Sequence, residues 1–173
     1  VVAALLIAPS PACNGGGTGM PNGQPPGSGN PPQLTVTTLA GSFDTIWELV
    51  WGPDNNIWVT ERPGTISRVN PATGAVTRLG TVPGVLESGE GGLMGMALHP
   101  DFAAGSPYLY AAHTYSSGAG TRNRVVRIQV TGNALGQPEV LLDNVPGSSI
   151  HNGSRVVIGP DRLLYVSFGD ASN

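Results

Sequence analysis

Lysine is absent from this 173-residue sequence, cysteine occurs once, and charged residues of all kinds make up only 11% of the chain. Soluble domains usually carry about 25% charged residues. All eight basic residues are arginines, and the net charge is −3. A nucleic-acid-binding surface needs a dense basic patch, so nucleic acid is excluded as a partner. A single cysteine also excludes an internal disulfide.

Turn-forming residues, in contrast, are abundant, with 26 glycines and 16 prolines. Many turn residues between short apolar segments predict an all-β protein built from many short strands. The length is sufficient for one domain with a hydrophobic core.

The first 33 residues differ in composition from the rest. Residues 1–8 form an apolar run that is too short to span a bilayer and resembles the end of a signal peptide. We therefore interpret residues 1–13 as a signal-peptide remnant that ends in a possible lipoprotein cleavage site at Cys13. Lipidation of Cys13 and ordinary signal cleavage with an incidental cysteine both stay open. Either reading predicts export to the periplasm or the extracellular space, and lipidation would add a membrane tether.

Residues 14–33 consist mainly of glycine, proline, asparagine and serine. Such a segment has almost nothing to bury, so it is predicted to be a disordered tether. The folded part is then expected to span residues 34–173.

A repeated pattern organises that folded part, with two apolar segments on either side of a Pro-Asp pair. The pairs begin at positions 53, 100 and 160, which gives steps of 47 and 60 residues. Periods of this size with several short strands indicate propeller blades. The predicted strands are 47–51, 57–61, 65–69 and 75–79 in the first repeat, and 93–98, 107–114, 123–130 and 138–142 in the second.

The third repeat has only its first two strands. We therefore expect about two and a half blades of a β-propeller, from the N-terminal part of a longer protein. An open partial propeller exposes a blade face and a strand edge, so the piece alone is predicted to fold poorly.

The third repeat also brings a histidine and a carboxylate together. Its two strands are joined by a predicted tight turn at residues 159–162, where proline has the required φ. Folding the segment about this turn opposes Ile158 to Leu163, Arg155 to Val166 and His151 to Asp170. Opposed side chains in an antiparallel pair lie roughly 5 Å apart at Cβ. A carboxylate in this position orients a histidine as a general base, although a purely structural hydrogen bond is the alternative.

A glycine-rich stretch between the first two repeats contains a carboxylate, Glu90, directly between two glycines. Glycines allow the backbone to approach a ligand closely. An inner propeller strand also needs small residues where blades crowd the axis. That second reading accounts well for Gly95 but not for Glu90.

Three motifs in this order resemble the soluble quinoprotein glucose/sorbosone dehydrogenases, with the aldose sugar dehydrogenases as close relatives. They are Trp-Val-Thr-Glu-Arg-Pro-Gly at 58–64, Ser-Gly-Glu-Gly-Gly-Leu-Met-Gly-Met-Ala-Leu-His-Pro-Asp-Phe at 88–102, and His-Asn-Gly-Ser-Arg-Val-Val-Ile-Gly-Pro-Asp at 151–161 continuing to Gly-Asp at 169–170. The resemblance covers about residues 34–170, which is essentially all of the predicted folded part.

This resemblance implies a six-bladed β-propeller that binds pyrroloquinoline quinone (PQQ) above its axis, together with calcium. It implies that His151 takes the C1 hydroxyl proton of an aldose while hydride passes to PQQ, and that Asp170 orients His151. Glu90 stands where relatives have a glutamine that contacts PQQ, which makes Glu90 and His151 the implied cofactor-binding residues. The calcium ligands and the other PQQ contacts are expected beyond residue 173, so this piece alone is predicted to be inactive.

Three functions are considered for a protein with these features. The first is an exported PQQ-dependent aldose dehydrogenase that passes electrons to a downstream acceptor. The second is a non-catalytic extracellular propeller that binds a sugar or a protein partner. The third, a calcium-dependent lactonase, needs an axial metal site that the sequence does not show. The pair of His151 and Asp170 favours the dehydrogenase, and Glu90 favours the binding propeller.

Other conspicuous residues are predicted to be structural. They are His99, His113, Trp47, Trp51 and Trp58, with the tryptophans expected to pack inside blades. Arg155 is predicted to form a blade-stabilising ion pair with Asp170 or Asp161.

Overall fold

The computed structural model describes residues 2–7, 34–39 and 41–172. Within these ranges the protein is all β, as predicted, apart from a short 3-10 helix at Phe102–Ala104. None of the helical segments in these ranges has the length and hydropathy to cross a bilayer.

Two strands stand apart from the repeats. Strand β1 (Val2–Ile7) pairs antiparallel with β2 (Leu34–Leu39) in a sheet of its own. Strand β1 coincides with the apolar run interpreted as a signal-peptide remnant, and its pairing does not test that interpretation. Cys13 and the predicted tether at 14–33 lie outside the described residues, so both stay predictions.

The first repeat is one antiparallel sheet with its strands in sequence order, here named blade 1. Its strands are β3 (Ile46–Trp51), β4 (Ile57–Glu61), β5 (Thr65–Val69) and β6 (Val76–Thr81). The four strands predicted from the sequence are therefore confirmed, with shifts of at most two residues at their ends.

The second repeat, blade 2, has the same four-stranded meander with one addition. Its strands are β7 (Leu93–Leu98), β8 (Tyr108–Ser116), β9 (Thr121–Thr131) and β11 (Glu139–Pro146), and the short β10 (Ala134–Leu135) pairs with the end of β9. The third repeat contributes the hairpin of β12 (Gly153–Ile158) and β13 (Leu164–Phe168). Two blades and the first half of a third are thus present.

The core lies between neighbouring blades rather than inside one sheet. Blades 1 and 2 enclose a cluster that includes Trp58, Ile66, Leu93, Met96 and Ile128, all at most 1% exposed. Ala112, Val125 and Val156 form a second cluster between blade 2 and the third hairpin. Burying a large apolar side chain contributes roughly 1.5–3 kcal/mol, so each blade depends on its neighbour for stability.

Trp58 and Trp51 differ in their surroundings. Trp58 is fully buried and meets Phe102 edge to face at 5.3 Å, as expected of a blade-packing residue. Trp51 was predicted to pack in the same way, but it is 59% exposed. It lines an open groove of about 710 Å³ between the inner strands β3, β7 and β12. The prediction was wrong because Trp51 lies on an inner strand and faces the axis.

The turn of the third hairpin differs from the prediction by one residue. The Arg162 N–H donates to Gly159 O at 2.9 Å, which forms the expected turn. Arg162 itself has φ +66, and the Gly159 N–H donates to Leu163 O, so the loop contains three residues instead of two. A turn followed by a left-handed residue is the usual three-residue hairpin loop.

The extra loop residue changes the register. Ile158 is opposite Leu164 rather than Leu163, and Arg155 is opposite Ser167 rather than Val166. Blade 1 contains the same loop, in which Asn55 has φ +57 and donates its N–H to Gly52 O. The Pro-Asp repeat therefore specifies one loop conformation at both sites.

All three inner strands carry a β-bulge near the same end. The register shifts between Ile46 and Glu48 in β3, between Leu93 and Met96 in β7, and between Gly153 and Arg155 in β12. Bulges bend a strand and re-aim the side chains near its end. The end of β12 that carries its bulge leads directly to His151.

Candidate functional site

His151 and Asp170 meet at the open end of the third hairpin. Nδ1 of His151 lies 3.2 Å from Oδ1 of Asp170, although 19 residues separate them in sequence. The contact expected from the hairpin is therefore present, and the catalytic role assigned to the pair stays a prediction.

The longer loop and the bulge shift the strand register in opposite directions, and together they produce this contact. The longer loop shifts the pairing by one residue at Arg155, and the bulge at Ser154 shifts it back, so that Gly153 is opposite Phe168. Ser154 has φ +77 and is fully buried. His151 and Asp170 therefore approach each other as the simple two-residue loop predicted, but through a different register.

The backbone of His151 is held on both sides of the residue. Its φ is +57, a conformation that costs a non-glycine residue about 1–2 kcal/mol. The His151 N–H donates to Oε2 of Glu90 at 2.9 Å, and its carbonyl accepts from the Ala171 N–H at 3.1 Å. Gly169 lies so close that a Cβ there would be 2.0 Å from His151 O. The surrounding contacts thus impose the conformation of His151.

Asn152 anchors the loop from inside, and sequence reasoning missed it. Its side chain is 2% exposed, accepts from the Ser148 N–H at 3.0 Å and from Asn123 Nδ2 at 3.1 Å, and donates to Ser148 O at 2.8 Å. Asparagine in a Gly-rich segment is typical of any turn, so no signal in the sequence indicates this role. Asn123 belongs to β9, which ties the histidine loop to blade 2.

Glu90 lies at the tip of a tight turn from blade 2. Ser88 and Gly91 exchange two backbone hydrogen bonds, at 3.3 and 2.9 Å, which closes the turn. The Glu90 N–H donates to Ser149 O at 2.6 Å. Gly89 has φ +58, and a Cβ there would be 2.2 Å from Ser149 O, so only glycine allows this approach. The structure thus brings Glu90 beside His151, whereas its predicted contact with PQQ stays a prediction.

The carboxylate of Asp170 determines the tautomer of the His151 imidazole. The pKa of Asp170 is held below its ordinary value, chiefly because its carboxylate accepts the Ser172 N–H, and the neighbouring His151 adds to this effect against a desolvation cost. An ionised carboxylate only accepts hydrogen bonds, so a neutral imidazole at this position carries its proton on Nδ1 and its lone pair on Nε2. Both side chains are more than half exposed, so a small molecule can reach the ring.

A recess of about 450 Å³ adjoins Glu90 and is also lined by Thr45, Ile46, Trp47 and Arg62. Trp47, predicted to pack inside a blade, is half-buried here at the bulge of β3. Nε and Nη2 of Arg62 both lie 3.1 Å from Glu87 Oε1. The site fits PQQ in one respect, because the imidazole of His151, whose backbone N–H binds Glu90, stands at an accessible surface. Its residues supply few of the cations that a polycarboxylate needs, in line with the expectation of further contacts beyond residue 173.

Arg155 does not pair with Asp170 or Asp161. Its Nη1 lies 2.8 Å from Oε2 and 3.0 Å from Oε1 of Glu48, a buried carboxylate on β3. The predicted ion pair is present, but its partner comes from blade 1 because β3 and β12 both line the axis beside β7. Glu48 and Arg155 are 107 positions apart, so the sequence alone gives no sign of their contact.

Of the remaining histidines, His113 is buried on β8 opposite Leu93, and His99 lies at the far end of β7. Nδ1 of His99 accepts the Asp101 N–H at 3.0 Å inside the Pro-Asp turn, which confirms a structural role. Within residues 2–7, 34–39 and 41–172, no three His, Cys, Asp or Glu side chains are grouped to hold a metal ion. The calcium implied by resemblance stays a prediction.

Comparison with known proteins agrees with this architecture. Residues 43–173 match the model of a protein family described as Glucose / Sorbosone dehydrogenase. Quinoprotein glucose dehydrogenase B of Acinetobacter calcoaceticus is 41% identical over 133 residues, which is 70% of this chain and 28% of that protein.

Two solved structures have the same fold. The PQQ-bound aldose sugar dehydrogenase of Streptomyces coelicolor has a TM-score of 0.71 and 39% identity over 79% of this chain and 41% of its own. A putative oxidoreductase (glucose dehydrogenase) of Thermus thermophilus has a TM-score of 0.71 and 36% identity over 80% of this chain and 41% of its own. The chain spans less than half the length of each of these relatives.

The fold is that of part of a β-propeller of the sugar dehydrogenase class. The chain belongs to the glucose/sorbosone dehydrogenase family.

Proposed function

We propose that the full-length protein containing this chain oxidises the C1 hydroxyl of an aldose with PQQ as the electron acceptor. The observation that carries the proposal is the 3.2 Å contact between His151 Nδ1 and Asp170 Oδ1. It fixes an accessible imidazole in the tautomer that a general base requires. The similarity to quinoprotein glucose and aldose sugar dehydrogenases supports both the substrate class and the cofactor.

In this proposal Nε2 of His151 takes the hydroxyl proton of the sugar, and the carboxylate of Asp170 stabilises the imidazolium that results. The Glu90 and Ala171 contacts keep the ring at the accessible surface. Bound PQQ supplies the two-electron acceptor for the hydride from C1, because no side chain accepts hydride. Glu90 and His151 are the residues of this chain that would contact it.

We further propose that the protein is exported; lipidation of Cys13 would add a membrane tether. Calcium would be bound by residues outside this chain, and a downstream acceptor would reoxidise the cofactor. The substrate of the protein would be a small-molecule sugar, and no nucleic-acid partner is proposed, because the sequence has no lysine and a net charge of −3.

The test is dye-coupled aldose oxidation by the full-length protein with and without PQQ and Ca²⁺, beside His151→Ala and His99→Ala variants. We expect activity that requires PQQ, is lost in His151→Ala by about 100-fold or more, and persists in His99→Ala. A base contributes that much, whereas His99 only caps a turn. No PQQ binding and no oxidation across a panel of aldoses would refute the proposal.

A second candidate is a non-catalytic propeller that binds a sugar or a protein partner. It is favoured by the negative charge of Glu90 beside the histidine, which would repel a polycarboxylate cofactor. Sugar or partner binding without PQQ binding in the same experiment would select this candidate.

A further inference from the structure

The proposed base lacks the support that strand residues have. Strand β12 begins at Gly153, so His151 lies before the ladder and its N–H is not bonded to β13. Within the part of the chain that the structure describes, Glu90 Oε2 is the sole hydrogen-bond acceptor of this N–H. The left-handed φ of His151 is therefore supported at its N–H by a side chain from another blade, while the Ala171 N–H binds its carbonyl.

Glu90 is placed to provide that support. Its own N–H binds Ser149 O while its carboxylate binds the His151 N–H, so one residue holds the loop at two positions that are two residues apart. Between two paired strands, a backbone carbonyl would accept the hydrogen bond from the His151 N–H. Here the carboxylate takes that place, and a charged acceptor makes a stronger bond than a neutral one.

The turn that carries Glu90 is itself fixed. The two hydrogen bonds between Ser88 and Gly91 close it, and the missing Cβ of Gly89 allows contact with Ser149. Leu93, two residues after this turn, donates its N–H to Arg62 O of blade 1. Glu90 therefore links the histidine loop of the third hairpin to a turn that is anchored where blades 1 and 2 meet.

We infer that Glu90 is a positioning residue that holds the His151 backbone, so that Nε2 is presented at a fixed place while Asp170 sets the tautomer. This inference rests on the proposed role of His151 as a base. The role requires only a hydrogen-bond acceptor at the end of the side chain. Glutamine retains that acceptor, whereas methionine, of similar length, does not.

The experiment compares Glu90→Gln, Glu90→Met and, as a control, Glu87→Gln in the full-length protein. Glu87 is an exposed carboxylate close to Glu90 that pairs with Arg62 and does not contact His151. Thermal unfolding first shows that each variant is folded. Hydrogen exchange of the His151 amide is then measured by mass spectrometry on the protein without cofactor, which makes this readout independent of activity.

We expect the His151 amide to exchange about 10-fold faster in Glu90→Met, because only methionine removes the acceptor. The exchange should be only slightly faster in Glu90→Gln, whose acceptor is neutral, and unchanged in Glu87→Gln. With saturating PQQ, kcat should fall about 10- to 100-fold in Glu90→Met, with a smaller change in KM, and recover in Glu90→Gln. A misplaced base slows the chemical step more than it weakens sugar binding.

Two results would overturn the inference. The first is unchanged His151 exchange in Glu90→Met, which would show that Glu90 does not hold the backbone. The second is a loss of PQQ affinity in Glu90→Gln equal to that in Glu90→Met, which would show that Glu90 acts through its contact with the cofactor and not through the His151 backbone. If the wild type lacks PQQ-dependent activity, the proposed function fails while the exchange measurement still decides the structural role.

Discussion

Arg155 and Glu48 form an ion pair that joins the third hairpin to blade 1 across blade 2, with Nη1 of Arg155 2.8 Å from Oε2 of Glu48. The two residues occupy equivalent repeat positions, each five residues before the proline of a Pro-Asp pair. Blade 2 has Gly95 at that position. Because glycine has no Cβ, the backbone of β12 can approach this inner strand closely, which brings the third hairpin near blade 1.

The first prediction concerns the coupling between these two charges. Arg155→Met leaves the buried Glu48 carboxylate without its partner, and Glu48→Gln leaves the exposed guanidinium in water. We expect Arg155→Met to lower the free energy of unfolding more than Glu48→Gln does. A double-mutant cycle by urea unfolding should give a coupling of about 1 kcal/mol, since the arginine side chain is 64% exposed. Additive effects would show that the pair contributes nothing.

The second prediction concerns Gly95. A Cβ at this position would lie 2.0 Å from Ser154 O and 2.9 Å from Val156 N, both backbone atoms of β12. Gly95→Ala should therefore push the inner strands apart and lower the free energy of unfolding by about 3 kcal/mol. Gly84→Ala is a suitable control, because that site has open space and only its φ of +76 is strained. Its cost should be about 1 kcal/mol. Equal effects in thermal unfolding would contradict the close approach.

The third prediction concerns the orientation of the imidazole. In Asp170→Asn the new amide can donate to Nδ1 of His151, which moves the ring proton to Nε2 and removes the base. We expect kcat for aldose oxidation to fall about 100-fold, with little change in stability.

The pH dependence of this effect follows from the lowered pKa of Asp170. The carboxylate stays ionised well into the acidic range, so the loss in Asp170→Asn should be similar from about pH 5 to 8. Asp161→Asn changes a carboxylate of the same hairpin that binds Leu163 N–H and Tyr165 OH, and it should keep wild-type kcat. Wild-type kcat in Asp170→Asn would refute the orienting role.

The fourth prediction concerns pH and His113. This side chain is 1% exposed, and burial lowers its pKa, with the charge of Arg124 acting in the same direction against the Thr114 carbonyl and Asp143. In the unfolded chain the histidine has its ordinary pKa of about 6.5 and binds a proton more readily. The stability contribution is therefore complete above about pH 6.5 and is lost as the pH falls through the lower folded pKa.

This loss is measurable by urea unfolding at several pH values. We expect a decrease in the free energy of unfolding below about pH 6.5 in the wild type and a smaller decrease in His113→Gln, which has no titrating group there. If the free energy of unfolding falls equally with pH in both proteins, protonation of His113 in the folded protein costs no stability.

The blades were predictable because their signals are local. A Pro-Asp pair between two apolar segments defines a hairpin, and its recurrence defines the repeat. The same repeat contained the information that the register prediction overlooked. Asn55 is a residue that readily adopts a left-handed φ, and it indicates the three-residue loop in blade 1. At the equivalent position Arg162 carries no such signal, so the third hairpin was assigned a loop one residue too short.

The contacts that hold the site and the blades in place could not be predicted, because each one joins segments that are far apart in sequence. Glu90 and His151 are 61 residues apart, Asn123 and Asn152 are 29 apart, and Glu48 and Arg155 are 107 apart. Which carboxylate or amide faces which partner depends on how blades stack around an axis. No periodicity along the chain encodes that arrangement.

The bulges at one end of the inner strands divide each strand into two parts that differ in how freely their residues can be substituted. Beyond the bulge, side chains must fit the blades on either side. Before it, the pairing with the neighbouring strand is shifted by one residue. The repeat position of His151 is occupied by Asp44 in blade 1 and by Gly91 in blade 2. A propeller built this way can exchange the groups that it presents on its axis one blade at a time, while the packing that holds the blades together is inherited unchanged.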